Sequence, residues 1–294
     1  MNPAEFTELR YEVEAGVALV TLNRPDRRNA WSGPMAVEWR WALHHADTDP
    51  AVRVVVLAGA GEHFCVGADT GSLSRLADAG GVYDHPAAVA PPWGDDVPAG
   101  LRHNHAAALT VSTPVIAALH GACAGAGVVV VTYADLRFAA RGARIATSFA
   151  RLGLPAEYGI GWVLPRLMGT ANAAQFLYSG GPIDAEEAQR LGFVQRVIPD
   201  EELLSDTLDY ARRLARESSA ESLRTMKRAL LIDAAGDFDT AYRRSVGDMN
   251  AALRHRDLKE GLAAFKDRRP PNFLGPQGRP VHGGDPGAVR PASS

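Results

Sequence analysis

The sequence predicts an α/β fold followed by a helical C-terminal region. Two β-branched runs, Val17–Leu22 (VALVTL) and residues 52–57 (VRVVVL), end in the turn signals NRPD and GAG, and each reads as a buried strand. Between them, residues 35–46 (MAVEWRWALHHA) have helical composition. From about Ile183 onward, helical periodicity replaces strand-like runs. Strand, helix and strand in alternation is the α/β pattern.

The first helix should stop at its aspartates and Pro50. Residues 114–119 (PVIAAL) read as a third strand and 136–139 as a fourth. A helix around 161–168 follows. Residues 185–191 and 201–217 are helical, the latter with apolar residues at Leu204, Leu208, Ala211, Leu214 and Ala215. Residues 222–233, 240–253 and 257–267 continue the pattern. Residues 270–294, rich in Gly, Pro and Arg, are expected to be a disordered tail. Residues 71–100 fit no regular element. A loop of that length suggests a lid, a binding loop or disorder, with a weak helical stretch at 72–79. The expected division is a core over 1–182, a helical region over 183–269 and the tail.

The chain has 294 residues, 46% hydrophobic and 22% charged, enough apolar material for a sizeable core. A net charge of -3 and a pI near 6.3 argue against nucleic-acid or membrane-surface partners. The N-terminal stretch lacks the apolar core of a secretory signal, and no apolar run reaches the roughly 20 residues of a membrane span. A cytoplasmic protein is expected. Two cysteines, Cys65 and Cys123, without Cys/His ligand spacing give no support for a disulfide framework or a metal site.

Two segments rich in small residues follow strands: 59–73 (GAGEHFCVGADTGSL) and 120–131 (HGACAGAGVVVV). Small residues let the backbone approach a ligand closely. A helix starting near Gly125 would present free N–H groups able to bind an anion. Four consecutive valines favour a strand instead, and each glycine loop alone also reads as a tight turn. A dinucleotide-binding G-x-G-x-x-G is absent, as are a phosphate-loop lysine and a G-x-S-x-G elbow.

Several motifs in order resemble the crotonase (enoyl-CoA hydratase/isomerase) family. Residues 64–73 (FCVGADTGSL) resemble F-x-x-G-A-D-x-x-x-[LM]. Residues 114–136 (PVIAALHGACAGAGVVVVTYADL) resemble P-V-I-A-A-[VI]-x-G-x-[AC]-x-G-G-G-x-x-[LI]-x-x-x-[CA]-D. Residues 24–30 (RPDRRNA), 188–203 (AQRLGFVQRVIPDEEL) and 260–273 (EGLAAFKDRRPPNF) resemble three further family signatures. Together they cover about residues 10–273.

The resemblance implies a spiral of ββα repeats with a helical region used for trimerisation, as a homotrimer or dimer of trimers. It implies an acyl-CoA thioester substrate, with coenzyme A as part of the substrate and no separate cofactor. The thioester enolate would be held by the N–H groups of Ala68, after Gly67, and Ala126, after Gly125. Asp69 would be structural. Phe265 and Arg268 would touch the nucleotide. Arg24, Arg27 and Arg28 suit either its phosphates or a charged surface turn.

The pattern breaks at the two glutamates with which family hydratases handle water. Val129 and Phe149 stand at those positions. Glu157 lies eight residues after Phe149, about where dienoyl-CoA isomerases and an aryl-CoA dehalogenase of the family carry an essential aspartate. It reads either as the catalytic base or as a cap of the helix near 161–168. Tyr158 could hydrogen-bond in the pocket or merely pack, and Trp162 reads as core or pocket wall. His120 reads as a structural hydrogen-bond partner, and His63, His103 and His105 as solvated. The expected activity is double-bond isomerisation with Glu157 as base. Hydration, thioester hydrolysis, decarboxylation, C–C cleavage and a non-catalytic acyl-CoA-binding role remain open alternatives.

Overall fold

The computed structural model describes residues 1–69, 71, 78, 80, 91, 93, 97, 99–233 and 236–273. In chain order the elements are β1 (Leu9–Glu14), β2 (Val17–Leu22), α1 (Gly33–Thr48), β3 (Val54–Gly59), α2 (Ala107–Thr110), β4 (Val115–Leu119), β5 (Ala122–Ala124) and α3 (Ala126–Thr132). Then come β6 (Leu136–Ala140), β7 (Arg144–Ala146), α4 (Ile160–Met168), α5 (Thr170–Ser179), β8 (Ile183–Asp184), α6 (Ala185–Arg190) and β9 (Arg196–Ile198). Four helices close the described chain: α7 (Leu203–Glu217), α8 (Ala220–Asp233), α9 (Phe238–Ala252) and α10 (Arg256–Asp267).

A six-stranded sheet runs β1-β2-β3-β4-β6-β9, parallel except for the β1–β2 hairpin. A smaller sheet runs β5-β7-β8. Strands β3 and β4 are buried almost throughout, which explains their continuous apolar runs: a parallel strand covered on both faces has no polar side to show. Helix α1 packs on β1, β2 and β3, and α7 on β2, β3, β4 and β6.

Helices dominate after residue 198, not after 182. Strands β8 and β9 lie inside the stretch expected to be helical, and β9 extends the main sheet beside β6. A two-residue and a three-residue strand are too short to show alternation. The weak helix at 72–79 falls almost wholly outside the described residues, as do most of 71–100 and all of 274–294.

Buried cations fasten the helical region to the core. Lys227 Nζ donates to the Thr113 carbonyl at 2.9 Å and pairs with Asp135 at 2.8 Å. Arg53 donates to the carbonyls of Ala215 at 3.3 Å and Phe273 at 2.9 Å. No helix among the described residues is long and apolar enough to cross a membrane.

Candidate active site

The chain segments that leave β3 and β4 come together in a second layer of pairing. Cys65 and Cys123 form a parallel bridge, with Cys65 N donating to Ala122 O at 3.1 Å and Ala124 N to Cys65 O at 2.8 Å. Two residues further along each segment stand Gly67, at φ 106°, and Gly125, at φ 49°. A Cβ on Gly125 would lie 3.5 Å from Gly67 Cα, and one on Gly67 would lie 3.3 Å from Ala124 O. Positive φ with the tight approach at Gly67, and φ 49° with ψ -117° at Gly125, each call for glycine.

The pairing fixes where two N–H groups point. Trp31 N donates to Gly67 O at 2.7 Å and Asp69 N to Trp31 O at 3.3 Å, so Ala68 lies between the two bonded groups with its own N–H on the other edge. Ala126 is the first residue of α3, where an N–H has no intrahelical acceptor. Among the described residues, no backbone or side-chain acceptor takes either N–H. Two such donors on touching segments can stabilise one oxygen that gains negative charge.

Helix α3 forms despite its four valines because all four are buried, at 0–2% exposure. Tertiary packing outweighs their strand preference. Gly127 lets the helix approach closely, since a Cβ there would sit 2.7 Å from Cys65 O. Asp69 Oδ1 accepts from Gly71 N at 3.0 Å within its own turn. Burial pushes the Cys65 thiol up to about 11 and that of Cys123 well above its usual value, so neither offers a thiolate near neutrality.

Val129, one turn along α3 from Ala126, is fully buried, and Phe149 is 4% exposed. Glu157 is half-buried on the loop before α4, and burial raises its carboxyl above the ordinary range. No side chain caps α4, whose cap is Gly159, so the capping alternative for Glu157 has no hydrogen bond behind it. Tyr158 has φ 49°, a left-handed conformation that costs a non-glycine residue about 1–2 kcal/mol. Its ring stacks on His105 at 3.8 Å and 23°. Its carbonyl accepts from the Tyr133 hydroxyl.

The remaining expectations divide. Arg24 pairs with Glu8 at 3.1 Å and donates to Ala30 O at 2.7 Å, which ties it into the fold. Arg27 is exposed beside Asp26. Trp162 is 42% exposed with Arg166 over its ring at 3.7 Å, so it is not core, which leaves the pocket-wall reading. Phe265 is 86% exposed on α10, and Arg268 follows it in a left-handed C-cap. His120 Nε2 meets Gly61 O at 3.0 Å, a structural bond as expected.

Of the histidines expected in solvent, one is buried and one is partly covered. His105 is 5% exposed, and His63 Nδ1 accepts from Ala122 N at 3.3 Å. His105 and Tyr133 are the residues near Glu157 that the sequence reading missed. Reading 126–132 as helix would have placed Tyr133 at its C-terminal end. Nothing in the sequence marked His105. A cavity bounded by Glu62, His120, Asp200 and Leu203 lies elsewhere and includes none of the expected site residues. Among the described residues no cluster of three or more His, Cys, Asp or Glu could hold a metal.

Comparison with known proteins agrees with this architecture. The family model for enoyl-CoA hydratase/isomerase matches residues 12–276. The chain is 32% identical to a 1,2-epoxyphenylacetyl-CoA isomerase of Escherichia coli over 269 residues, covering 90% of this chain and 97% of that one. It is also 32% identical to a probable enoyl-CoA hydratase of Rhodobacter capsulatus, covering 92% and 99%. Among solved structures, a probable enoyl-CoA hydratase/isomerase from Mycobacterium abscessus superposes with a TM-score of 0.80 at 32% identity, covering 92% and 99%. The chain belongs to the enoyl-CoA hydratase/isomerase family and has the crotonase fold.

Proposed function

We propose that this family member isomerises the double bond of an acyl-CoA thioester, with Glu157 as the base and the Ala68 and Ala126 N–H groups holding the enolate oxygen. The observation that carries the reading is the half-buried Glu157, its carboxyl raised by burial, on a turn that the Tyr133 hydroxyl ties to the end of α3, the helix in which Val129 stands where the family resemblance expects a carboxylate. A base poised toward neutrality can take a proton from carbon and return it. In isomerisation Glu157 removes a proton α or γ to the carbonyl, the electrons pass to the thioester oxygen, and Glu157 then delivers a proton to the other carbon as the enolate electrons return. The double bond moves and no water is consumed. One base and one oxyanion site suffice, and Val129 and Phe149 need supply nothing.

The relative named as a 1,2-epoxyphenylacetyl-CoA isomerase supports isomerase chemistry on an acyl-CoA thioester, though its name points to an epoxide and not to a double bond; those named as hydratases support hydration as the second reading. Arg27, Phe265 and Arg268 are the residues proposed to meet the CoA nucleotide. The exposed apolar side chains of Leu230, Phe238, Leu262 and Phe265 suit contact with further copies in a trimer or dimer of trimers. Light scattering should give three or six chain masses, and a stable active monomer contradicts the assembly.

The chemistry is tested with a panel of acyl-CoA thioesters. In D2O, saturated members should take up deuterium at the α carbon, read by mass spectrometry. Non-conjugated enoyl members should gain the absorbance of a conjugated thioester. Binding without exchange or double-bond movement would leave an acyl-CoA-binding protein.

A further inference from the structure

We propose that Tyr133 is a positioning residue that sets the placement of Glu157, so that α3 governs both halves of the site. The inference rests on the proposed role of Glu157 as base. Helix α3 begins with Ala126, one of the two oxyanion N–H donors, and its C-cap is Tyr133. The Tyr133 hydroxyl donates to the carbonyl of Tyr158, the residue next to Glu157. The same hydroxyl lies 3.1 Å from where a Cβ on Gly159 would stand, so it sits against both Tyr158 and Gly159, and a side chain at 159 would crowd it.

The turn needs such a hold. Tyr158 and Gly159 are successive left-handed residues, at φ 49° and 81°. For tyrosine that conformation persists only where its surroundings impose it. Residues 151–156 are exposed, so little packing from that side fixes the carboxylate. The hold comes from within: the Tyr133 hydroxyl on the carbonyl, and the buried His105 ring stacked on the Tyr158 ring. Tyr133 is 3% exposed, and burial pushes its hydroxyl up to about 12, so it remains a donor at any working pH. It is placed to act on Glu157 through the backbone of the neighbouring residue. Because Ala126 and Tyr133 stand at the two ends of one short helix, the oxyanion donor and the tie to the Glu157 turn are placed by the same element.

The test is a double-mutant cycle read by α-proton exchange of butyryl-CoA in D2O, with thermal midpoints measured alongside. Tyr133→Phe keeps the ring and its packing and removes only the hydroxyl. We expect exchange to fall about tenfold or more in kcat with KM nearly unchanged and little movement of the midpoint. In the Glu157→Gln background, Tyr133→Phe should have no further effect. Equal losses in both backgrounds, or a loss confined to KM, would show that Tyr133 does not act through Glu157. Wild-type exchange by Tyr133→Phe beside a crippled Glu157→Gln sinks the positioning role alone. Wild-type exchange by Glu157→Gln sinks the base assignment itself. His105→Phe, which preserves a stacked ring, should keep most of the exchange, whereas His105→Ala should lose it in the manner of Tyr133→Phe.

Discussion

Hydration of crotonyl-CoA is expected to run about 10²–10⁴-fold slower than in a family hydratase that carries both glutamates. Adding water to a conjugated enoyl thioester needs a group that orients the water and takes its proton, and a group that delivers a proton to the α carbon. By the family resemblance, the two positions that would do this hold Val129 and Phe149, at 0% and 4% exposure. Neither has a lone pair, and both present hydrocarbon where a water would need two to four polar partners. The Phe149 backbone is also committed: its carbonyl accepts from Leu152 N and from Leu154 N, both at 2.9 Å. The measurement is the loss of conjugated-thioester absorbance with crotonyl-CoA, set beside double-bond movement on a non-conjugated isomer. Efficient hydration that persists in Glu157→Gln would place the water-handling group elsewhere and overturn the isomerase reading.

Much of the fold was visible in the residues, and the failures have physical causes. Strands β2, β3 and β4 stand out because a covered parallel strand is apolar along its length. Strand β1 (LRYEVE) does not, since it pairs on one side only and buries Leu9 alone. Strands β5 and β7 hold three residues each and show no period. Helix α3 was ambiguous because intrinsic preference and burial point in opposite directions for valine.

The site divides in the same way. Gly67 and Gly125 are legible, since their backbone conformations call for glycine. The Tyr133–Tyr158 tie is not: it joins residues 25 apart and ends on a backbone carbonyl, which any sequence offers. Trp162 shows what periodicity could have given. Ile160, Val163 and Leu164 take the inward face of α4, and 162 falls off that i, i+3, i+4 stripe, so its ring faces outward.

Glu157→Gln is expected to lower kcat for double-bond movement and α-proton exchange by about 10²–10⁴-fold with little change in acyl-CoA affinity. Enolate formation requires an acceptor for the proton. The Ala68 and Ala126 N–H groups can only donate, the Cys65 and Cys123 thiols are held protonated by burial, and Asp69 is tied into its turn by Gly71 N. Glutamine keeps the shape of Glu157 and removes the basic lone pair. The pH profile supplies an independent check. The ionised carboxylate is the working form, and burial raises its pKa above that of an ordinary glutamate. Activity should therefore fall on the acid side with a midpoint above the ordinary carboxylate range, and what remains in Glu157→Gln should lack that limb. Stability should move the other way. A carboxyl whose folded pKa is raised contributes most to stability below its unfolded pKa, and that contribution is lost as pH rises through the folded value. At neutral pH the ionised Glu157 opposes folding, so Glu157→Gln should hold or raise the thermal midpoint while activity collapses. A glutamine variant with wild-type kcat, or one that loses activity only in step with a falling midpoint, would mean that Glu157 supports the loop and does not take the proton.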